Sequence, residues 1–211
     1  MSLKLFLTLF CGICWTITYV ECIRIGFKYK IHTMPFLALV LNITWEAFNT
    51  YQGGLLAGWT HVSTVFDGAW LLLDCIILYI YLVYTKSEST SSFVFYGKVI
   101  SLLVLGSVFQ YIFAQQLGLI PGAVYSSSVM GLIMSSLFIK MYYDRGGAYG
   151  QSLSIAINKC LGTAAASLLV GLVGVNSLGG AHPMVLYVGI FIFFIDLYYI
   201  FLLCKKSSTI T

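Results

Sequence analysis

The sequence predicts an all-α, multi-pass membrane bundle of about seven transmembrane helices, forming a single domain over residues 1–211. Three observations predict it. Hydrophobic residues fill 60% of the 211 positions and charged residues only 9%, against about 25% charge in ordinary soluble domains. So little polar surface cannot coat a water-soluble globule. The apolar runs are also long and continuous rather than short and alternating, which favours helix over sheet. Finally, the basic residues gather on alternate connections between those runs. The small net charge of +4 gives no sign of a nucleic-acid partner.

Taken in order, the runs cover approximately 3–21, 33–51, 66–84, 96–115, 123–142, 153–175 and 184–204, each near the ~20 residues a bilayer requires. "QGGLLAGWTH" at 52–61 and "NSLGGAHP" at 176–183 read as Gly-rich turns, and "KSESTSS" at 86–92 as a polar loop. "LGLIPG" breaks the chain between the fourth and fifth runs. "GTAAASLLVGLVG" at 162–174 places small residues at the spacing of a close helix-packing face. Cys11, Cys14, Cys22, Cys75, Cys160 and Cys204 mostly fall inside apolar runs, so they read as small packing residues rather than a disulfide framework.

The basic residues predict orientation. Arg24, Lys28 and Lys30 follow the first run, and Lys86 and Lys98 lie between the third and fourth. Lys140, Arg145 and Lys159 surround the fifth-to-sixth loop, and Lys205 and Lys206 end the chain. With seven spans all of these share one side, and the other has only Lys4. The positive-inside rule then predicts an outside N-terminus and a cytoplasmic C-terminus. A cleaved signal peptide is not expected, because more positive charge follows the first apolar run than precedes it. The expected location is the plasma membrane or the endoplasmic reticulum.

Four carboxyl groups fall in or near these runs: Glu46, Asp67, Asp74 and Asp196. An aspartate at a helix centre costs ~2.5–3.5 kcal/mol even on the mildest insertion scale, so such groups should face the bundle interior. Helical spacing puts Asn42, Glu46 and Asn49 on one stripe, Asp67, Trp70 and Asp74 on another, and Asp196 with Tyr199 on a third. No lysine or arginine is expected deep enough to neutralise Glu46 or Asp196. A carboxyl buried without a cation favours its neutral form, which can donate a proton. Depth along the helices predicts that Glu46 and Asp196 stand ~10 Å apart along the membrane normal, too far for a tight dyad.

Missing motifs narrow the chemistry. There is no DDxxD or DxDD segment for magnesium and diphosphate, no HExxH or histidine cluster for a metal, no GxSxG and no phosphate loop. No cofactor and no metal site are expected.

Four stretches, in order and at compatible spacing, resemble the integral-membrane terpene cyclases of fungal meroterpenoid and indole-diterpene pathways. They are "MPFLALVLNITWE" at 34–46, "WLLLDCIILY" at 70–79, "RGGAYGQSLSIAINKCLGT" at 145–163 and "FIDLYY" at 194–199. The resemblance implies cyclisation of a prenyl chain, often one bearing a terminal epoxide, started by protonation rather than by loss of diphosphate. The family's two essential acids map onto Glu46 and Asp196. The candidate catalytic residues are therefore Glu46, Asp196 and Asp74. Candidate substrate-binding residues are Asn42, Trp45, Asn49, Trp70, Tyr111 and Tyr199, since aromatic faces stabilise a carbocation at ~0.5–2 kcal/mol each without trapping it. The expected partners are a hydrophobic prenylated substrate and the lipid bilayer. The alternatives are a small proton-coupled transporter, with Glu46, Asp74 and Asp196 at the solute site, and a non-catalytic scaffold whose acids hold helices together.

Overall fold

The computed structural model describes residues 2–85 and 91–207, with side chains described as far as Lys205. Lys86, most of the expected polar loop at 86–92 and the side chain of Lys206 lie outside the described residues. Among the described residues seven α-helices follow one another: α1 Leu3–Tyr29, α2 Phe36–Leu56, α3 Val62–Tyr84, α4 Ser92–Leu117, α5 Leu119–Asp144, α6 Leu153–Leu168 and α7 Pro183–Ser207. A π-helical stretch, Leu169–Val173, extends α6, and a short 3-10 turn occupies Asn176–Leu178.

Six of the seven helices are long and apolar enough to cross a membrane, with α6 counted together with its π-helical extension. The exception is α2, which the sequence predicts as a seventh span. Asn42, Thr44, Glu46, Asn49, Thr50 and Gln52 dilute its apolar character. Its last turn also corrects an expectation, because Gly53 and Gly54 belong to the helix rather than to a turn. Their missing side chains allow close approach: a Cβ on Gly53 would lie 2.8 Å from the Thr64 hydroxyl, and one on Gly54 would lie 2.6 Å from the Trp59 ring. At the other expected break, Gly118 adopts φ 89° and ends α4. Pro121 then falls in the first turn of α5, where no intrahelical donor is lost.

The chain forms two compact units, Ile23–Ser127 and Met1–Cys22 with Ser128–Thr211. In the first, α2 packs along both α3 and α4. Gly106 of α4 admits Thr44 of α2, whose hydroxyl would stand 2.8 Å from a Cβ there. A stack of Phe36 on Tyr81 (centroids 4.0 Å apart) and Tyr81 on Phe95 (5.9 Å) joins the three helices. In the second unit α6 packs along α7. The small-residue stretch performs the packing its spacing predicts. A Cβ on Gly162 would meet the Trp15 ring at 2.7 Å, and one on Gly171 would meet the Leu186 backbone nitrogen at 2.5 Å. No disulfide joins any of the six cysteines, all of which lie among the described residues.

Candidate active site

Two buried polar centres emerge, one in each unit. The first lies between α2 and α3. These helices run antiparallel, so advancing along α2 retreats along α3: Gly53 faces Thr64, Thr50 faces Gly68, and Glu46 meets Asp74. Glu46 is 3% exposed and Asp74 is fully buried. The Glu46 carboxyl faces Asp74 closely enough for the two to interact, while neither Asp74 oxygen has a hydrogen-bond partner among the described residues. Ionised carboxylates only accept hydrogen bonds, so a bond between two carboxyls requires a proton on one of them. No donor among the described residues completes a hydrogen bond to either oxygen of Asp74, so a proton shared with Glu46 is the partner within reach. Each acid is legible in the sequence. Their pairing is not, because it depends on the register of two helices.

The neighbours are positioned by the same two helices. Trp70 precedes Asp74 by one helical turn, is half-buried and lies tilted against Phe66, with ring centroids 5.5 Å apart. Trp45 is half-buried, and its indole Nε1 donates to the Ala123 carbonyl at 2.9 Å, which anchors α2 to the start of α5. The Asn49 amide donates to the Trp45 carbonyl at 2.8 Å. Asn42 is buried one turn before Glu46. Asp67 is half-buried. Thr50 and Thr64 also belong to this seam, and sequence reasoning passed over both.

Tyr111 stands elsewhere. It is 58% exposed and lines an apolar groove of about 730 Å³ between α2 and α4, with Ile43, Ala47, Tyr51 and Val104 among its neighbours. Glu46 and Asp74 do not line this groove.

The second centre overturns an expectation about Asp196. Lys159 is not a loop charge: it is the seventh residue of α6 and only 1% exposed. Its ammonium donates to both carboxylate oxygens of Asp196, at 2.6 and 2.9 Å, and to the Ser135 hydroxyl at 2.6 Å. The Ser135 hydroxyl in turn donates to the Gly131 carbonyl at 2.9 Å. The Lys159 stem is long enough to carry the ammonium from α6 to α5 and α7, so a cation does reach Asp196. One turn along α7, Tyr199 is fully buried; its hydroxyl donates to Gln151 Oε1 at 2.7 Å and its ring packs on Phe138 at 5.6 Å. Five side chains and the loop residue Gln151 thus bind α5, α6 and α7 together. The signal for Lys159 was present: a lysine midway along an apolar helix must find an anion.

The comparisons with known proteins agree with this architecture. The model of the Pyr4-like transmembrane terpene cyclases matches residues 1–208. The chain belongs to this family. It is therefore an integral, multi-pass membrane protein, as its six long apolar helices require. Among curated proteins, the terpene cyclase macJ of Penicillium terrestre is 27% identical over 169 residues, covering 74% of this chain and 62% of the relative. The terpene cyclase spyD of Aspergillus fumigatus is 24% identical, covering 74% of this chain and 66% of its own. The asnovolin H synthase nvfL of Aspergillus novofumigatus is 23% identical, covering 78% and 68%. The matched part of this cyclase-family chain thus spans about two thirds of the length of these relatives.

Proposed function

We propose that this chain is a membrane-embedded terpene cyclase that starts carbocation chemistry by protonating a prenyl chain, with the Glu46–Asp74 pair as the proton source. The observation that carries the reading is the meeting of two buried carboxyls with no basic group among the described contacts of Asp74. Such a pair holds its proton until a substrate atom of sufficient basicity arrives, which suits a general acid. Family membership supports the overall activity.

In this reading the acid proton passes to a terminal epoxide oxygen or an alkene carbon. For the epoxide, a new O–H bond forms as the C–O bond to the more substituted carbon breaks. The cation is then passed along the folded chain by successive attack of its double bonds. Loss of a proton, or capture by a hydroxyl, ends the sequence. Trp70, on the face of α3 that carries Asp74, offers a ring face to the cation, and Trp45 stands beside Glu46 on α2. Asn42 and Asn49 flank Glu46 by one turn and can hydrogen bond to a polar group on the substrate. The apolar groove beside Tyr111 offers a lipid-soluble chain a berth on the helix that carries Glu46. Asp196 and Tyr199 serve differently: the ion pair with Lys159 and the bond to Gln151 make them fixed parts of the second unit rather than proton donors. The chemistry proceeds without a metal or cofactor, and its substrate is a hydrophobic prenylated molecule drawn from the bilayer.

The test is incubation of membranes containing the protein with prenyl epoxides and, separately, prenyl diphosphates, with products followed by mass spectrometry. Cyclic isomers of the epoxide are expected from the wild type. Glu46→Gln and Asp74→Asn should insert normally and form them at a rate lower by about 10²–10⁴. Wild-type turnover by either variant removes that acid from the mechanism, and diphosphate release would replace protonation as the starting step.

A further inference from the structure

Threonines inside helices usually donate to the carbonyl one turn back, and most of those described here do. Thr8 donates to Lys4, Thr16 to Gly12, Thr18 to Cys14 and Thr44 to Val40, at 2.8–3.0 Å. Thr50 and Thr64 break the pattern. Both hydroxyl oxygens are buried and neither has a hydrogen-bond partner. Thr64 is only 4% exposed. They lie on the same seam as the two orphaned oxygens of Asp74. Three side chains with unmet hydrogen-bonding capacity thus line one helix–helix contact.

The seam has a direction. Thr64 is the third residue of α3, next to the exposed connection around Trp59 and His61. Asp74 lies ten residues further along, about 15 Å at the helical rise. Thr50 stands between, opposite Gly68 and one turn from Glu46 on α2. Glycine is needed where the hydroxyls turn inward: a Cβ on Gly53 would come within 2.8 Å of the Thr64 oxygen. An orphaned buried hydroxyl costs about 1–3 kcal/mol, and ordered water is the usual partner where several polar groups converge.

We propose that this seam is a proton inlet. Thr64 and then Thr50 hold a short file of water molecules from the α2–α3 connection to the Glu46–Asp74 pair, and recharge it. The proposal rests on the function given above. Each turnover removes one proton from the pair and the ring-forming sequence releases one elsewhere. The inlet returns one proton from water to the vacated carboxylate, so substrate and product remain isomers and no redox partner is needed.

The test needs no substrate. Infrared spectra of the protein in lipid, transferred from H2O to D2O, follow the downshift of the carboxylic-acid C=O band as its proton exchanges. The wild type should exchange quickly. Thr64→Val and Thr50→Val keep the shape and remove the hydroxyl. Each should slow exchange about tenfold, the kinetic equivalent of one lost hydrogen bond to the water file, with little change in thermal stability, because no hydrogen bond to another part of the protein is lost. Thr64→Ser should exchange as the wild type does. Gly53→Ala, which crowds the Thr64 hydroxyl without deleting it, should also slow exchange. Wild-type exchange in both valine variants overturns the inlet. An absent acid band in the wild type instead overturns the acid pair itself, so the two failures are distinct.

Discussion

Two buried acids of nearly equal exposure have opposite surroundings. Asp196 receives an ammonium and sits in a closed set of hydrogen bonds from α5, α6 and α7. Asp74 faces another carboxyl and receives no completed hydrogen bond among the described residues. Burial alone therefore does not mark a reactive group. In the reading proposed above, the acid completed by a lysine fastens helices, and the acid that faces a second carboxyl supplies the proton. The difference follows from which helix each acid faces: α7 faces a lysine on α6, and α3 faces a glutamate on α2.

The largest effect expected from this contrast is on chemistry. Glu46→Gln should lower the rate of product formation by about 10²–10⁴, the usual worth of a positioned general acid, with no loss of folded protein. Turnover in detergent, normalised to the monodisperse fraction, measures it. The next effect is on stability and belongs to the other unit. Lys159→Met leaves Asp196 buried without its cation and should destabilise the protein by about 3–5 kcal/mol. The double variant Lys159→Met/Asp196→Leu should recover most of this, because neither charge remains. Denaturation in mixed micelles checks both. Failure of the double variant to recover would mean that the pair does more than fasten helices.

The smallest effect sharpens the packing side of the comparison. Gly171→Ala would place a Cβ 2.5 Å from the Leu186 backbone nitrogen, where nothing can rotate aside. It should cost about 1–3 kcal/mol through backbone displacement. Thermal denaturation of this variant reads the effect without touching either acid.

Most of the fold was legible because each helix is its own apolar run, and hydropathy is a local property. Helix ends were less so. α1 continues to Tyr29 through Arg24 and Lys28, since a helix need not stop where the hydrocarbon does. Gly53 and Gly54 looked like a turn and are helical because they let Thr64 and Trp59 approach. In the site, Glu46, Asp74 and Asp196 stood out through the cost of burying them. What the sequence hid was non-local. The Glu46–Asp74 meeting depends on the register of α2 on α3, and the Lys159–Asp196 pair joins residues 37 positions apart. Lys159 follows a Gly-rich loop and so resembled an interfacial charge. Thr50 and Thr64 were passed over because a threonine in a helix is unremarkable until its hydroxyl is found without a carbonyl.

The contrast between the two acids has one direct measurement: the carboxylic-acid C=O band in the infrared spectrum of the membrane-reconstituted protein near neutral pH. The account predicts a band that changes frequency in Glu46→Gln and in Asp74→Asn, because the remaining buried acid stays neutral, that is lost in the double variant, and that is unchanged in Asp196→Asn. A band that survives both substitutions in the α2–α3 seam, or that disappears only with Asp196, would contradict it.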